Sequence, residues 1–178
     1  MYKGLIFNPF HIGTFFSIYL DTHGYSRVFT GWMWALGVSG EVLLFIVMYR
    51  LIQTFGAARL FVLSLFLASL RWVMLGAGVD WLLVLIIAQV LHAATYGLYH
   101  ASAIHMIHQY FPGRLQGRGQ ALYAGISSGL GGAVGGLLAG YGWDNIGNEM
   151  TFYISGGVAG AAGVMAWLFV REAPQSAS

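Results

Sequence analysis

Long unbroken apolar runs, separated by short polar stretches, dominate this chain. Val42 to Tyr49 and Leu82 to Ile87 carry no polar residue at all. A membrane β-strand would alternate apolar and polar positions over ~10 residues. These runs do not alternate, so the pattern predicts helices. It divides the chain into six, at about 4–20, 31–49, 60–76, 81–109, 121–141 and 149–170. Polar loops are expected at 21–30, 50–59 and 111–120, with tight turns at 77–80 and 142–148 and a polar tail. Crossing the hydrocarbon takes ~20 apolar residues as a helix. A helix also satisfies its own backbone hydrogen bonds where no water is available. The first helix contains Asn8, Pro9 and His11, follows Lys3 and ends in Tyr19-Leu20-Asp21. No small-x-small cleavage pattern follows it, which reads as a retained span, not a cleaved signal peptide.

Composition turns these helices into a membrane protein. Of 178 residues, 58% are apolar, 16% aromatic and 8% charged. Soluble domains carry about a quarter charged residues, and here there is too little polar side chain to cover a globule in water. A disordered chain is excluded by the same figures. Six spans of roughly 22 residues fit the length with loops to spare. The expected fold class is therefore all-α, integral and multi-pass. There is no cysteine, hence no disulfide and no thiolate metal site. The formal charge is +2, and the few basic residues are too dispersed for a nucleic-acid footprint. Their placement sets the orientation. Lys3, Arg50, Arg59, Arg114, Arg118 and Arg171 fall on one side of a six-span bundle, and Arg27 on the other. The side rich in Lys and Arg is the inner one, so both termini are expected in the cytoplasm. Asp21, Asp80, Asp144 and Glu149 fall opposite.

Three ionisable residues lie deep within the predicted spans: Glu41, Arg71 and His92. Each costs at least ~2.5–3.5 kcal/mol at mid-membrane. Mutual pairing is the least costly arrangement. Two readings stand: an ion pair that locks helices together, or a solute and proton site lining a wet path, with His92 titrating near neutrality. Membrane placement favours the second. Gln89, His92, Tyr96, Tyr99 and Ala103 recur at spacings of three and four and share one helical face. That stripe suits a polar or aromatic small molecule, and equally suits hydrogen bonding between helices. His100 borders the same face, while His105 and His108 fall near the cytoplasmic end.

Other patterns carry less chemistry. Gly125, Gly129, Gly131, Gly132, Gly135, Gly136 and Gly140, with Gly156 and Gly160, supply small-xxx-small pairs suited to tight or sliding helix contact. Gly125-Ile126-Ser127-Ser128-Gly129 fits G-x-S-x-G, but that motif works on a strand-to-helix turn, and this copy sits inside an apolar span. No enzyme is expected. His92 and His105 have the spacing of haem ligands on one helix, yet only His11 is available on another span, so no haem is expected either.

The sequence resembles the C-terminal half of a major facilitator superfamily transporter, in the subgroup containing the phenylpropionate and lactose permeases. The resemblance is carried by Phe15-Phe16-Ser17-Ile18-Tyr19, Gly24-Tyr25-Ser26, Gly40-Glu41-Val42, Leu70-Arg71-Trp72, Leu91-His92-Ala93-Ala94-Thr95 and Gly119-Gln120-Ala121-Leu122-Tyr123. It implies that Glu41 and Arg71 help to bind solute and support proton coupling, with His92 at the matching imidazole. Lactose-type permeases have a carboxylate where this chain has Thr95 and a lysine where it has Gln89. Proton coupling then falls to Glu41 or His92. A phenylpropionate-type solute would place a carboxylate on Arg71 and a ring among the tyrosines. The loop after helix two keeps Gly56 but has Gln53-Thr54 where the superfamily has an acid. The first helix reads Asn8-Pro9-Phe10-His11-Ile12-Gly13 where relatives have a His-Gly-Pro-Tyr-like stretch.

Function follows as an expectation: transport of a small organic solute, an aromatic acid or sugar-like, by proton-coupled symport across the cell's inner membrane. The expected solute-binding residues are Glu41, Arg71, Gln89, His92, Tyr96 and Tyr99, with Glu41 and His92 carrying the proton. The superfamily's site lies between two six-helix halves. The expected partners are thus the solute, protons, the bilayer, and either an N-terminal six-helix half or a second copy of this chain. The alternatives are an inactive truncated permease and a non-transporting assembly subunit. None of these readings calls for a cofactor or a metal.

Overall fold

The computed structural model describes residues 13–171. Helix α1 spans Gly13–Thr22, so the expected start of the first helix, with Asn8, Pro9 and His11, lies outside the described residues. Ser26 then opens α2, Arg27–Phe55, by accepting a hydrogen bond from the Phe29 amide at 3.1 Å. Helix α3 is Ala57–Gly78 and α4 is Leu82–Tyr110. Helix α5 runs Gly113–Asn145. It begins as a 3-10 turn, continues as α-helix over Gln116–Tyr123, loosens to a π-helix over Ala124–Leu130 and returns to α-helix over Gly131–Asn145. Helix α6 is Asn148–Phe169. Five of these, α2 to α6, are long and apolar enough to cross a membrane. No strand occurs among the described residues.

All three expected polar loops are largely helical instead: of 21–30 only 23–26 lie between α1 and α2, and Arg27–Thr30 form the first turn of α2. Residues 50–59 continue α2 and α3 up to a one-residue turn at Gly56. Gly56 has φ +82° and its amide reaches Ile52 O at 2.9 Å, a conformation that suits glycine. Residues 111–120 shrink to a link at Phe111-Pro112, after which Arg114 and Arg118 lie in the start of α5. Arginine and glutamine are good helix formers. Their long stems lie along an apolar helix while their heads reach water, so these charges extend the helices instead of ending them.

Helix α3 packs on both α4 and α6, and α4 packs in turn on α2. One core gathers Phe16, Tyr19, Trp72, Leu75, Leu85 and Phe152. Another gathers Phe61, Leu65, Tyr99, Ala103, Met106 and Ala166. Large apolar side chains such as Leu43, Ile46, Leu83, Leu137 and Phe169 remain outside, as a chain solvated by lipid requires.

The glycine stripe expected on α5 packs differently. A Cβ at Gly125 or Gly136 would meet nothing within 4 Å. The π-wound section shifts the i→i+4 register, so Gly125 and Gly129 no longer stack on one tight face. The close contact is made by α6. At Gly156 a Cβ would lie 2.9 Å from Val73 Cγ2 and 3.1 Å from the Ser69 carbonyl oxygen. The Ser69 hydroxyl donates to Gly156 O at 2.7 Å. Backbone cannot give way as a side chain can. Gly156→Leu is therefore expected to destabilise the bundle by about 1–3 kcal/mol through overpacking. The check is thermal unfolding in detergent, where an unchanged Tm would refute the tight α3–α6 contact.

Candidate functional site

The site starts from close helix approach. Glu41 stands at the middle of α2, and α4 runs beside it without bulky spacers. A Cβ at Gly37 would sit 3.3 Å from His92 Cδ2 and 3.4 Å from Gln89 Oε1, and one at Gly40 would sit 2.8 Å from Ala93 Cβ. This proximity lets short side chains meet. His92 Nε2 lies 3.3 Å from Glu41 Oε1, with the side chains 12% and 16% exposed, so the pair is reachable and not sealed. Trp34 stands edge-on to the His92 ring at 5.9 Å. Trp34, Gly37 and Glu41 are spaced three and four apart on α2, which places them on one face. That spacing was the signal for Trp34 and Gly37, and a search for charges passes over both.

Arg71 comes from α3 and is only 1% exposed. Its Nε donates to Ala88 O at 3.0 Å, and its guanidinium carbon lies 4.3 Å over the Trp72 ring, a cation–π placement. Ala88 is four residues before His92, so Arg71 grips the turn of α4 that carries the imidazole.

Gln89 is fully buried, and neither its Oε1 nor its Nε2 has a hydrogen-bond partner among the described residues. His92 Nδ1 is in the same condition. Buried polar atoms are normally satisfied, and these three unpartnered atoms fall together on one turn of α4.

The expected stripe on α4 divides. Gln89, His92 and Tyr96 stay with Glu41 and Arg71, the Tyr96 ring lying 6.1 Å from that of His92. Tyr99 does not join them. Its ring stacks on Phe61 at 5.0 Å, and its hydroxyl is 3.0 Å from Ser127 Oγ on α5, a buried contact. Ala103 is buried in the same core. A stripe at three–four spacing covers an arc of roughly 100°, wide enough for its edges to meet different neighbours. Ser127, the serine of the G-x-S-x-G pattern, thus serves as a partner to Tyr99 within the π-wound section of α5. Toward the end of α4, His105 lies 3.1 Å from Gln109 and His108 lies 2.7 Å from Gln120. Among the described residues no group of three or more His, Asp or Glu is placed to hold a metal ion.

A buried guanidinium, an acid–imidazole pair that can share a proton and an aromatic rim can together hold a small anion and exchange a proton beside it. Fold and site define a multi-pass helical membrane protein with a charged, aromatic-edged centre. The family model of the MFS_1 like family matches residues 3–154, and the chain belongs to that family of major facilitator transporters. A curated relative, the probable 3-phenylpropionic acid transporter of Escherichia coli (strain K12), is 31% identical over 140 residues, which are 75% of this chain and 35% of the relative. The crystal structure of the nucleoside transporter NupG (D323A mutant) superposes with a TM-score of 0.81 over 94% of this chain and 46% of that one, at 12% identity. That likeness is one of fold. The chain spans about a third to a half of the length of these transporters.

Proposed function

We propose that this chain works as one six-helix half of a major facilitator permease in the cell's inner membrane, with both termini cytoplasmic, and that it carries a small aromatic acid by proton symport. The observation that carries the reading is the Glu41–His92 pair at 3.3 Å beside the buried Arg71. In this reading Arg71 and Gln89 receive the solute's carboxylate and Tyr96 borders its ring. Glu41 and His92 carry the proton. Tyr99, held by Ser127, backs the site from the core. Similarity to the probable 3-phenylpropionic acid transporter of Escherichia coli favours an aryl acid over a sugar. The orientation rests on the arginines. Arg50 and Arg59 flank the α2–α3 turn, and Arg114 and Arg118 open α5, with Arg71 kept inside. An N-terminal half or a second copy completes the site, as the midplane position between halves demands.

Uptake by the native assembly tests this. Labelled aryl propionate is expected to accumulate when the outside is acidified, and an aldohexose is not. Glu41→Gln keeps the shape and removes the exchangeable proton. It is expected to lower pH-driven accumulation about 10-fold or more, in line with an intramembrane acid that carries protons. Full accumulation by Glu41→Gln would remove Glu41 from the coupling.

A further inference from the structure

Four imidazoles descend α4, and the transport reading employs only the first. His92 meets Glu41; His100 stands about 12 Å further along the axis at ~1.5 Å per residue; His105 and His108 follow toward the Tyr110 end. The interval between His92 and His100 is occupied by Tyr96. Its ring centroid lies 6.1 Å from that of His92 and 5.9 Å from that of His100, and it is parallel to the latter within 2°. His100 Nδ1 lies 3.4 Å from the Tyr123 hydroxyl on α5. His92, His100 and Tyr123 are all partly exposed. His92, Tyr96 and His100 recur at i, i+4 and i+8 and so share a flank of the helix.

The titratable groups around His100 are phenols: Tyr96 and Tyr99 on its own helix and Tyr123 on α5. From α2, Leu44 and Met48 close on Gly97 at the neighbouring turn. From α3, Phe61 stacks on Tyr99. An imidazole placed within a membrane span, among phenols, is costly unless it is used.

We infer that His100 is a proton-carrying station between the Glu41–His92 pair and the cytoplasm, with the Tyr123 hydroxyl as its exchange partner and water along the flank shared with Tyr96 carrying the proton between the two imidazoles. It rests on the proton-coupled reading and adds the route by which the proton leaves. A proton arrives on one ring nitrogen of His100 while another departs from the second, which leaves the ring neutral in the opposite tautomer. The first tautomer is restored when the bare nitrogen takes a proton from water or from the Tyr123 hydroxyl, itself refilled from water, and the other nitrogen gives one up to water. Only N–H and O–H bonds form and break, and no electron is transferred.

The competing role is a plain tie between α4 and α5. Two assays on native membranes separate them: solute counterflow, which needs binding and rocking but no net proton movement, and accumulation driven by a pH gradient. His100→Gln is expected to keep counterflow within about 2-fold and lose about 10-fold or more of the accumulation, a split that reports on one step only. Tyr123→Phe, one hydroxyl smaller, is expected to show the same split to a lesser degree, and it decides the matter where His100→Gln does not reach the membrane. Equal loss in both assays would make the pair a structural tie and overturn the inference. So would full accumulation in His100→Gln. Wild-type counterflow without any pH-driven accumulation would instead sink the proton-coupled reading itself.

Discussion

Replacing Arg71 with glutamine is expected to reduce uptake of an aryl carboxylate about 100-fold or more, the equivalent of ~2.7 kcal/mol. Arg71 is a single fixed cation, 1% exposed, in a span where a solute's carboxylate would otherwise lose its water without a counter-charge. Removing one partner of a buried charge pair costs about 3–5 kcal/mol because the other is left uncompensated. Arg71→Lys keeps the charge but has neither the Nε that holds Ala88 O at 3.0 Å nor the plane that lies over Trp72. It is expected to recover only part of the uptake, since a point charge does not replace a planar fork. The amide of the same solute provides the control. If Arg71 reads the carboxylate, the wild type handles the amide poorly and Arg71→Gln handles it no worse. Uptake of the acid by Arg71→Gln at the wild-type rate would leave Arg71 as a structural cation only.

Much of the fold was legible because lipid imposes a severe rule: continuous apolar runs of helical length have few other solutions. The runs in α2 and α4 announced themselves. The ends did not, because hydropathy falls at Arg50, Arg59, Arg114 and Arg118 although helical hydrogen bonding continues through them. A charge marks where the hydrocarbon stops, not where the helix does. The glycines of α5 misled for a related reason. Small-xxx-small spacing presupposes an α-helical register, and the π-wound Ala124–Leu130 section breaks it. What packs closely on α6 at Gly156 depends on Ser69 and Val73 of α3, a pairing that spacing along one helix does not contain.

The site divides along the same line. Glu41, Arg71 and His92 stood out because each is expensive in a membrane and each lies deep within its predicted span. Their spatial grouping needed the close packing of α2 on α4, which Gly37 and Gly40 permit. Tyr99 had the correct spacing and a different neighbour, since the α3 face with Phe61 and the α5 hydroxyl of Ser127 draw it inward. Trp34 and Tyr123 are ordinary aromatic residues for a membrane span, and only their contacts with His92 and His100 give them a part.

Gln89→Leu is expected to move stability and transport in opposite directions. Leucine has a similar volume and removes two buried polar atoms that find no partner among the described residues. A buried unsatisfied group costs about 1–3 kcal/mol, so the variant without solute is expected to unfold at a Tm higher by roughly 2–4 °C per kcal/mol gained for a chain of this size. Uptake of the aryl acid is expected to fall about 10-fold or more, as the loss of one polar contact of ~1.4 kcal/mol requires. Binding sites are where a protein accepts local instability for function, and an amide buried without partners beside Arg71 and His92 fits that account. Gln89→Ala is the necessary companion: it removes the same atoms but leaves a void, and it is expected to lose both stability and uptake. A lower Tm for Gln89→Leu would show that the amide serves the fold. A higher Tm with undiminished uptake would show that it serves neither the fold nor the solute.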